Sequence, residues 1–146
     1  MAGDHPLVSI QASCAGRPEG LAEDMVVQLK FADGSVGQLL YTAKGCAGMG
    51  KERLEVFAGG VSAVLEDYRS AEIHGAGSSP EKLKGSGKGH AEEIAALLAA
   101  VRSGGPAPIA LEVLEGVSRA TFAAHRCLAR DSGHEDLSVA STDAPA

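Results

Sequence analysis

Residues 24–69 constrain this chain more than any other stretch. They read DMVVQLKFADGSVGQLLYTAKG, pass through a Gly-rich break, and resume as KERLEVFAGGVSAVLEDYR. In the first half Met25, Val27, Leu29 and Phe31 alternate with Val26, Gln28 and Lys30, the period of two of a strand with one buried face. Asp33-Gly34 supplies a tight turn, and residues 35–42 return as a second strand. Gly37 inside that strand is the residue type of a bulge or a close backbone approach. Beyond the break, residues 53–58 and 61–66 repeat the pattern around Gly59-Gly60. Two successive hairpins predict an antiparallel sheet.

The flanking segments complete the layout. Residues 7–13 (LVSIQAS) alternate as a further strand, followed by a loop holding Pro18 and Gly20. Residues 70–74 are a weaker strand. Residues 75–89, rich in Gly, Ser, Pro and Lys, read as a long loop of mobile or functional type. Ile94, Leu97, Leu98 and Val101 then recur at helical spacing, a stripe for burial against a sheet. Glu92 and Glu93 at its start and Arg102 at its end complement the helix dipole. Gly104-Gly105 stops that helix, Pro106 and Pro108 shape the crossover, and a second helix spans residues 111–129. Its expected core face is Leu114, Val117, Thr121, Phe122 and Leu128. The expectation is one α+β domain over residues 7–130: an open, mainly antiparallel sheet of about five or six strands with two helices packed on one face. Residues 1–6 and 131–146 read as flexible termini.

Composition excludes several classes. Thirteen basic against nineteen acidic side chains give a net charge of −6, and no clustered Lys/Arg marks a nucleic-acid surface. Residues 94–101, the longest uncharged apolar run, fall far short of the roughly 18–20 residues of a membrane span. The opening MAGDHPLVSI has neither the basic nor the apolar region of a signal peptide. Cys14, Cys46 and Cys127 are odd in number and widely separated, as in free thiols of a reducing cytoplasm. The core must come from Val, Leu, Ile and Ala, because aromatics are 3% and Trp is absent.

Gly45-Cys-Ala-Gly-Met-Gly50-Lys51-Glu52 has the spacing of a phosphate-binding loop. Glu52, however, stands where Ser or Thr would hold magnesium, and ERLEVF continues as a strand where a helix N-terminus is required. His90-Ala91-Glu92 resembles the His-x-Glu of zinc deaminases without its Pro-Cys-x-x-Cys partner, so no metal site is expected. His90 at a helix start is better placed to touch a polar ligand through the free N–H groups there. His125 reads as a core or boundary histidine. Lys51, Glu52 and Arg53 form a charge run at a strand mouth: either a solvated strand start or a rim contacting a polyol or carboxylate, to which Arg is suited. No catalytic set and no strand–G-x-G-x-x-G–helix fingerprint is present.

FADGSVGQLLYTAKG, KERLEVFAGGVSAVLEDYR, KGHAEEIAALLAAVRSGG and the PIALE that leads into the last helix together resemble the C-terminal domain of Gfo/Idh/MocA oxidoreductases, the sugar and polyol dehydrogenases related to glucose–fructose oxidoreductase and inositol dehydrogenase. The resemblance runs from about Leu7 to Leu128. It implies an NAD(P)-binding Rossmann domain in a full-length member, with a Glu-Lys-Pro lysine and an Asp/His-bearing helix for catalysis; none of these is in this chain, so no catalytic or cofactor-binding residue is assigned. It further implies a substrate-side and oligomerisation domain that pairs with a parent enzyme's Rossmann domain and with further copies through the open sheet face. Lys51, Arg53, His74 and His90 are the expected substrate rim. The competing readings are a stand-alone dimerising module and a small-molecule binding domain without enzymatic activity.

Overall fold

The computed structural model describes residues 6–15, 23–75, 79–85, 87–130 and 132–137. In chain order the elements are β1 (Leu7–Cys14), β2 (Asp24–Phe31), β3 (Val36–Thr42), β4 (Arg53–Ala58), β5 (Val61–Glu66), β6 (Ser70–His74), β7 (Glu81–Lys84), α1 (His90–Ser103), α2 (Leu111–Ala129) and β8 (Ser132–Asp136). The fold is α+β. Its strands make two open antiparallel sheets, ordered β3-β2-β1-β8 and β4-β5-β6-β7. The single sheet of five or six strands expected from sequence is therefore two sheets of four. They lie in two compact units, Met1–Lys44 with Ile109–Ala146, and Gly45–Pro108. The Gly-rich break after β3 is the boundary between them.

Two strands occupy segments read as irregular. β7 pairs with β6 inside the expected long loop, and β8 pairs with β1 inside the expected flexible tail. Both are polar, EKLK and SGHED, so neither shows the apolar alternation that marks a strand. Each is an edge, where charge and polarity are tolerated. The remaining residues of that tail lie outside the described ones. Gly37 sits in unbroken register with Leu29, and the irregularity in this sheet lies between Leu7 and Ser9.

In the first unit α2 packs on β1 and β8. Ile10, Ala12 and Val27 on the sheet meet Ala123, Cys127 and Leu128 on the helix, with Cys14, Met25, Leu29, Ala120, Ala124 and Leu137 around them. Of the core face expected for it Leu128 is buried, but the helix is rolled so that Leu114, Val117, Thr121 and Phe122 are exposed, and Ala123, Cys127 and Leu128, with the partly buried Ala120 and Ala124, form the seam. Small side chains explain the roll. A Cβ on Gly133 of β8 would stand 3.3 Å from the Cys127 Cα, so helix and strand approach closely only along a seam of small residues. Arg126 on α2 reaches over to Glu135 of β8, donating from Nε to Oε2 at 2.9 Å and from Nη2 to Oε1. At the other edge Thr42 and Lys44 bind the Asp24 carboxylate, Lys44 at 2.7 Å. The face away from α2 is mostly polar, with Gln38, Gln28, Gln11 and His134 in one cross-strand row.

In the second unit the register sorts each side chain to one of two faces. Leu54, Leu65, Ala71 and Leu83 form one apolar row and Val56, Ala63 and Ile73 lie beside it. The opposite face carries Arg53, Glu66, Ser70 and Lys84 in one row and Glu55, Val64, Glu72 and Lys82 in the next. α1 ends as its sequence indicates: the N–H groups of Gly104 and Gly105 turn back to the carbonyls of Val101 and Ala100. The helix buries none of its residues. Leu97, the most covered of its apolar stripe, is still 46% exposed. The stripe expected to lie against a sheet is thus open.

Gly133→Val drives a side chain into the α2 seam and should cost about 1–3 kcal/mol, read as a lower urea midpoint with an unchanged slope. Lys44 and Thr42 hold the Asp24 carboxyl below its ordinary value of 3.8, and Arg126 holds Glu135 below 4.5. A carboxylate whose pKa is lowered by folding stabilises the fold above its unfolded value and loses that effect as pH falls through the folded value. Wild type should therefore exceed Asp24→Asn and Glu135→Gln in stability near pH 6, with the gap closing as pH drops below about 4; a gap independent of pH would contradict the assignment.

Candidate functional site

The second unit gathers polar side chains from three segments at one end of its sheet: the start of β4, the β5–β6 turn and the lead into α1. Arg53 opens β4 directly opposite Glu66. Its Nε and Nη2 donate to Glu55 Oε1 at 2.9 and 2.6 Å, and its Nη1 donates to Glu66 Oε1. The Glu55 hydrogen bonds first, and the Glu66 charge second, push the guanidinium pKa above its ordinary value. Two carboxylates thus already engage this cation.

Beyond Glu66 the chain turns through Asp67 and Tyr68, both with left-handed backbone at φ 51 and 56, and the Arg69 N–H donates to the Glu66 carbonyl at 2.9 Å. Two successive positive φ values are the pattern of a type I′ turn, a position for Asn-Gly or Gly-Gly. Gly59-Gly60 follows that preference, at φ 56 and 79. Asp67 also suits its position, but Tyr68 does not, and a bulky residue held there is strained. Neighbouring backbone fixes the turn. The Asp67 N–H donates to the Glu52 carbonyl at 2.6 Å, Gly85 N–H to the Arg69 carbonyl at 2.8 Å, and Gly87 N–H to the Tyr68 carbonyl at 3.3 Å. A Cβ on Gly85 would collide with the Tyr68 carbonyl oxygen, so only glycine lets these strands close.

Lys88 completes the cluster. Its Nζ lies 2.7 Å from Glu52 Oε1 and 5.9 Å from the centre of the Tyr68 ring, within cation–π range. The Glu52 hydrogen bond, then its charge, raises the Lys88 pKa above 10.5, so the ammonium is retained at neutral pH. His90 begins α1 two residues on, exposed, after Gly89 at φ 73.

Of the four rim residues read from sequence, Lys51, Arg53 and His90 belong to the segments that meet here. His74 does not. It pairs with Ser62 at the far end of β6, four strand positions or about 13 Å along the sheet from the Arg53 row, and its Nε2 faces Glu72 Oε1 at 3.4 Å. Sequence reading missed Tyr68 and Lys88. The available signal for Tyr68 was a short hairpin connection, Asp-Tyr-Arg, without Gly or Asn. Lys88 carries no such signal, because only the fold brings it to Glu52.

Among the described residues no group of three or more His, Cys, Asp or Glu is placed to hold a metal ion. The Gly-rich break leads into β4 and not into a helix, so it lacks the helix N-terminus that a phosphate-binding loop of this spacing requires. No described helix is long and apolar enough to cross a membrane.

Solved structures share this fold. An oxidoreductase from Pseudomonas syringae superposes with a TM-score of 0.64 at 16% identity, over 91% of this chain and 46% of its own. UDP-N-acetylglucosamine 3-dehydrogenase from Acidithiobacillus ferrooxidans gives 0.66 at 17%, over 85% and 42%. An inositol dehydrogenase homolog from Azotobacter vinelandii, solved with NADH and myo-inositol, gives 0.60 at 16%, over 91% and 45%. The chain therefore spans less than half the length of each. These neighbours are oxidoreductases by name, and at such identity the likeness establishes the fold alone. No protein-family model matches the chain, and no curated protein matches it.

Gly85→Ala should lower stability by about 1–3 kcal/mol and speed amide exchange at Asp67 and Gly87 ahead of the first unit. Tyr68→Gly, by contrast, relieves left-handed strain and should raise the melting point, by the equivalent of about 0.5 kcal/mol or more.

Proposed function

We propose that this chain is the substrate-side and oligomerisation domain of an NAD(P)-dependent sugar or polyol oxidoreductase of Gfo/Idh/MocA type, working in the cytoplasm together with a dinucleotide-binding domain. The observation that carries this reading is the match of most of this chain to under half of each of three oxidoreductases. Exposed apolar surface supports it. Ile94, Leu98 and Val101 on α1, and Leu111, Val117 and Phe122 on α2, stand open to solvent, and stripes of that kind mark surfaces meant for contact. At about 25 cal/mol per Å², covering them would be strongly favourable.

In this reading the dinucleotide-binding domain supplies cofactor and catalytic groups, and the end of the second sheet, with Lys51, Arg53 and His90, faces the substrate. His74 belongs to the same proposed rim only if the substrate extends along the sheet. Association with further copies is assigned to the open sheet faces; the apolar rows through Leu54 and Val56, both exposed, favour it. Cys14, Cys46 and Cys127 form no disulfide with one another, in accord with a reducing compartment.

Calorimetric titration with NADH tests the reading. The chain alone should give no binding, and a dinucleotide-binding domain encoded in the same reading frame or an adjoining gene should restore it in complex with this chain. Tight NADH binding by the chain alone, or no such domain next to it, would overturn the proposal. Sedimentation at high micromolar concentration checks the association separately: a dimer or larger species is expected, and a strict monomer contradicts it.

A further inference from the structure

Four strands end the two sheets, β3 and β8 in the first and β4 and β7 in the second. Three of them carry charge along the edge: Glu135 and Asp136 on β8, Arg53 and Glu55 on β4, and Glu81, Lys82 and Lys84 on β7. Such charges keep an open row of N–H and C=O groups from pairing with another chain. β3, which reads VGQLLYT, has none. It also has no proline and no bulge, since its register with β2 runs unbroken from Val36 to Thr42. Val36 and Leu40 stand 78% and 72% exposed, and Leu39 and Tyr41 are open as well. Among the described strands β2 alone pairs with it. A regular apolar edge without any of these devices is a template for a further strand.

The ladder decides which backbone groups face outward. The Phe31 N–H donates to the Ser35 carbonyl at 2.9 Å, and the Ala43 N–H to the Glu23 carbonyl at 3.1 Å. Gly37, Leu39 and Tyr41 therefore bond to β2, while Val36, Gln38, Leu40 and Thr42 turn their N–H and C=O groups away from it. We propose that these four residues pair with the same four of a second copy, antiparallel, about a two-fold axis at Leu39. In that register Val36 meets Thr42 of the second copy and Gln38 meets Leu40. It alone uses every outward group on both strands. It also sets three side-chain contacts. Leu39 meets its own counterpart on the axis. Tyr41 lies opposite Gly37 of the second copy, where an aromatic ring covers a strand glycine that has no side chain of its own. Just beyond the strand ends, Asp33 of each copy comes beside Lys44 of the other, so opposite charges meet at both ends. A parallel pair would instead set Asp33 against Asp33 and Lys44 against Lys44. The edge is thus complementary to itself, which argues for a second copy as its occupant. This contact is separate from the sheet faces to which association is assigned above.

Amide exchange and sedimentation of the full chain test the site. Going from low to high micromolar concentration should slow exchange at Val36, Gln38, Leu40 and Thr42 about tenfold or more. Gly37, Leu39 and Tyr41, already bonded to β2, should change less. Leu40→Pro removes an outward N–H that the single copy does not use, a change an edge strand accepts, and should halve the mass of the assembly. Leu39→Lys sets two ammonium groups against each other on the axis and should weaken association about tenfold or more; it keeps the site testable if the proline variant fails to fold. Leu54→Lys, on the apolar face of the second sheet, should leave the β3 exchange pattern unchanged. Assemblies of wild-type mass in Leu40→Pro and Leu39→Lys, β3 exchange that ignores concentration, or a strict monomer would overturn the edge contact. The first of these results, together with loss of association in Leu54→Lys, would leave association through the sheet faces standing.

Discussion

The close approach of α2 to β1 and β8 is the constraint on which the first unit depends. A helix can sit this near a strand only if the side chains between them are small, and the seam of Ala120, Ala123, Ala124 and Cys127 against Ala12 and Gly133 supplies that. The same choice limits how much apolar area the seam removes from water. Ion pairs close its margins, Arg126 with Glu135 on one side of the sheet and Lys44 with Asp24 on the other. They are exposed and contribute modestly, so the small-residue contact sets the geometry.

A core built from small residues has a second effect: the large apolar side chains must go elsewhere. On α2 they turn outward, and on β3 Val36, Leu39, Leu40 and Tyr41 are exposed as well. The second unit shows the same division across its sheet. Its charged face is largely self-neutralised, with Arg53 between Glu55 and Glu66 and Lys82 directly opposite Glu72, and such a face needs only water. Its apolar face has no comparable provision. The surfaces left open are therefore the ones whose burial would stabilise the protein. That asymmetry is the physical support for the proposal that this domain meets partners.

Strand alternation and glycine pairs made the hairpins of residues 24–66 legible, and helix-end chemistry placed α1 and α2 closely. What could not be read was set by distant contacts. β7 and β8 are strands because β6 and β1 offer them free edges, not because EKLK or SGHED favours extension. The periodicity of α2 fits more than one face, and packing on β1, more than ninety residues earlier, with the close approach of Gly133 selects the small one. At the candidate site Lys51, Arg53 and His90 were legible as charges near element ends. His74 was grouped with them by polarity, although strand direction carries it to the other end of β6. Lys88 was invisible because its partner, Glu52, lies 36 residues away.

The two tight turns of the second sheet give a direct comparison of what folding alone demands. Gly59-Gly60 meets the backbone requirement with no side chain, and nothing packs near where a Cβ would stand. At the other turn Asp67 suits the first position, and Tyr68 meets the second with a side chain that opposes it. If stability were the only need, the second turn would be expected to resemble the first. It is instead enclosed: Gly85 gives up its side chain so that another strand can close on the Tyr68 carbonyl, and Glu52 contributes both a carbonyl to Asp67 and a carboxylate to Lys88. Several residues are thus arranged to hold one unfavourable conformation at the surface. An aromatic ring held under a cation that is itself paired with a carboxylate is the result.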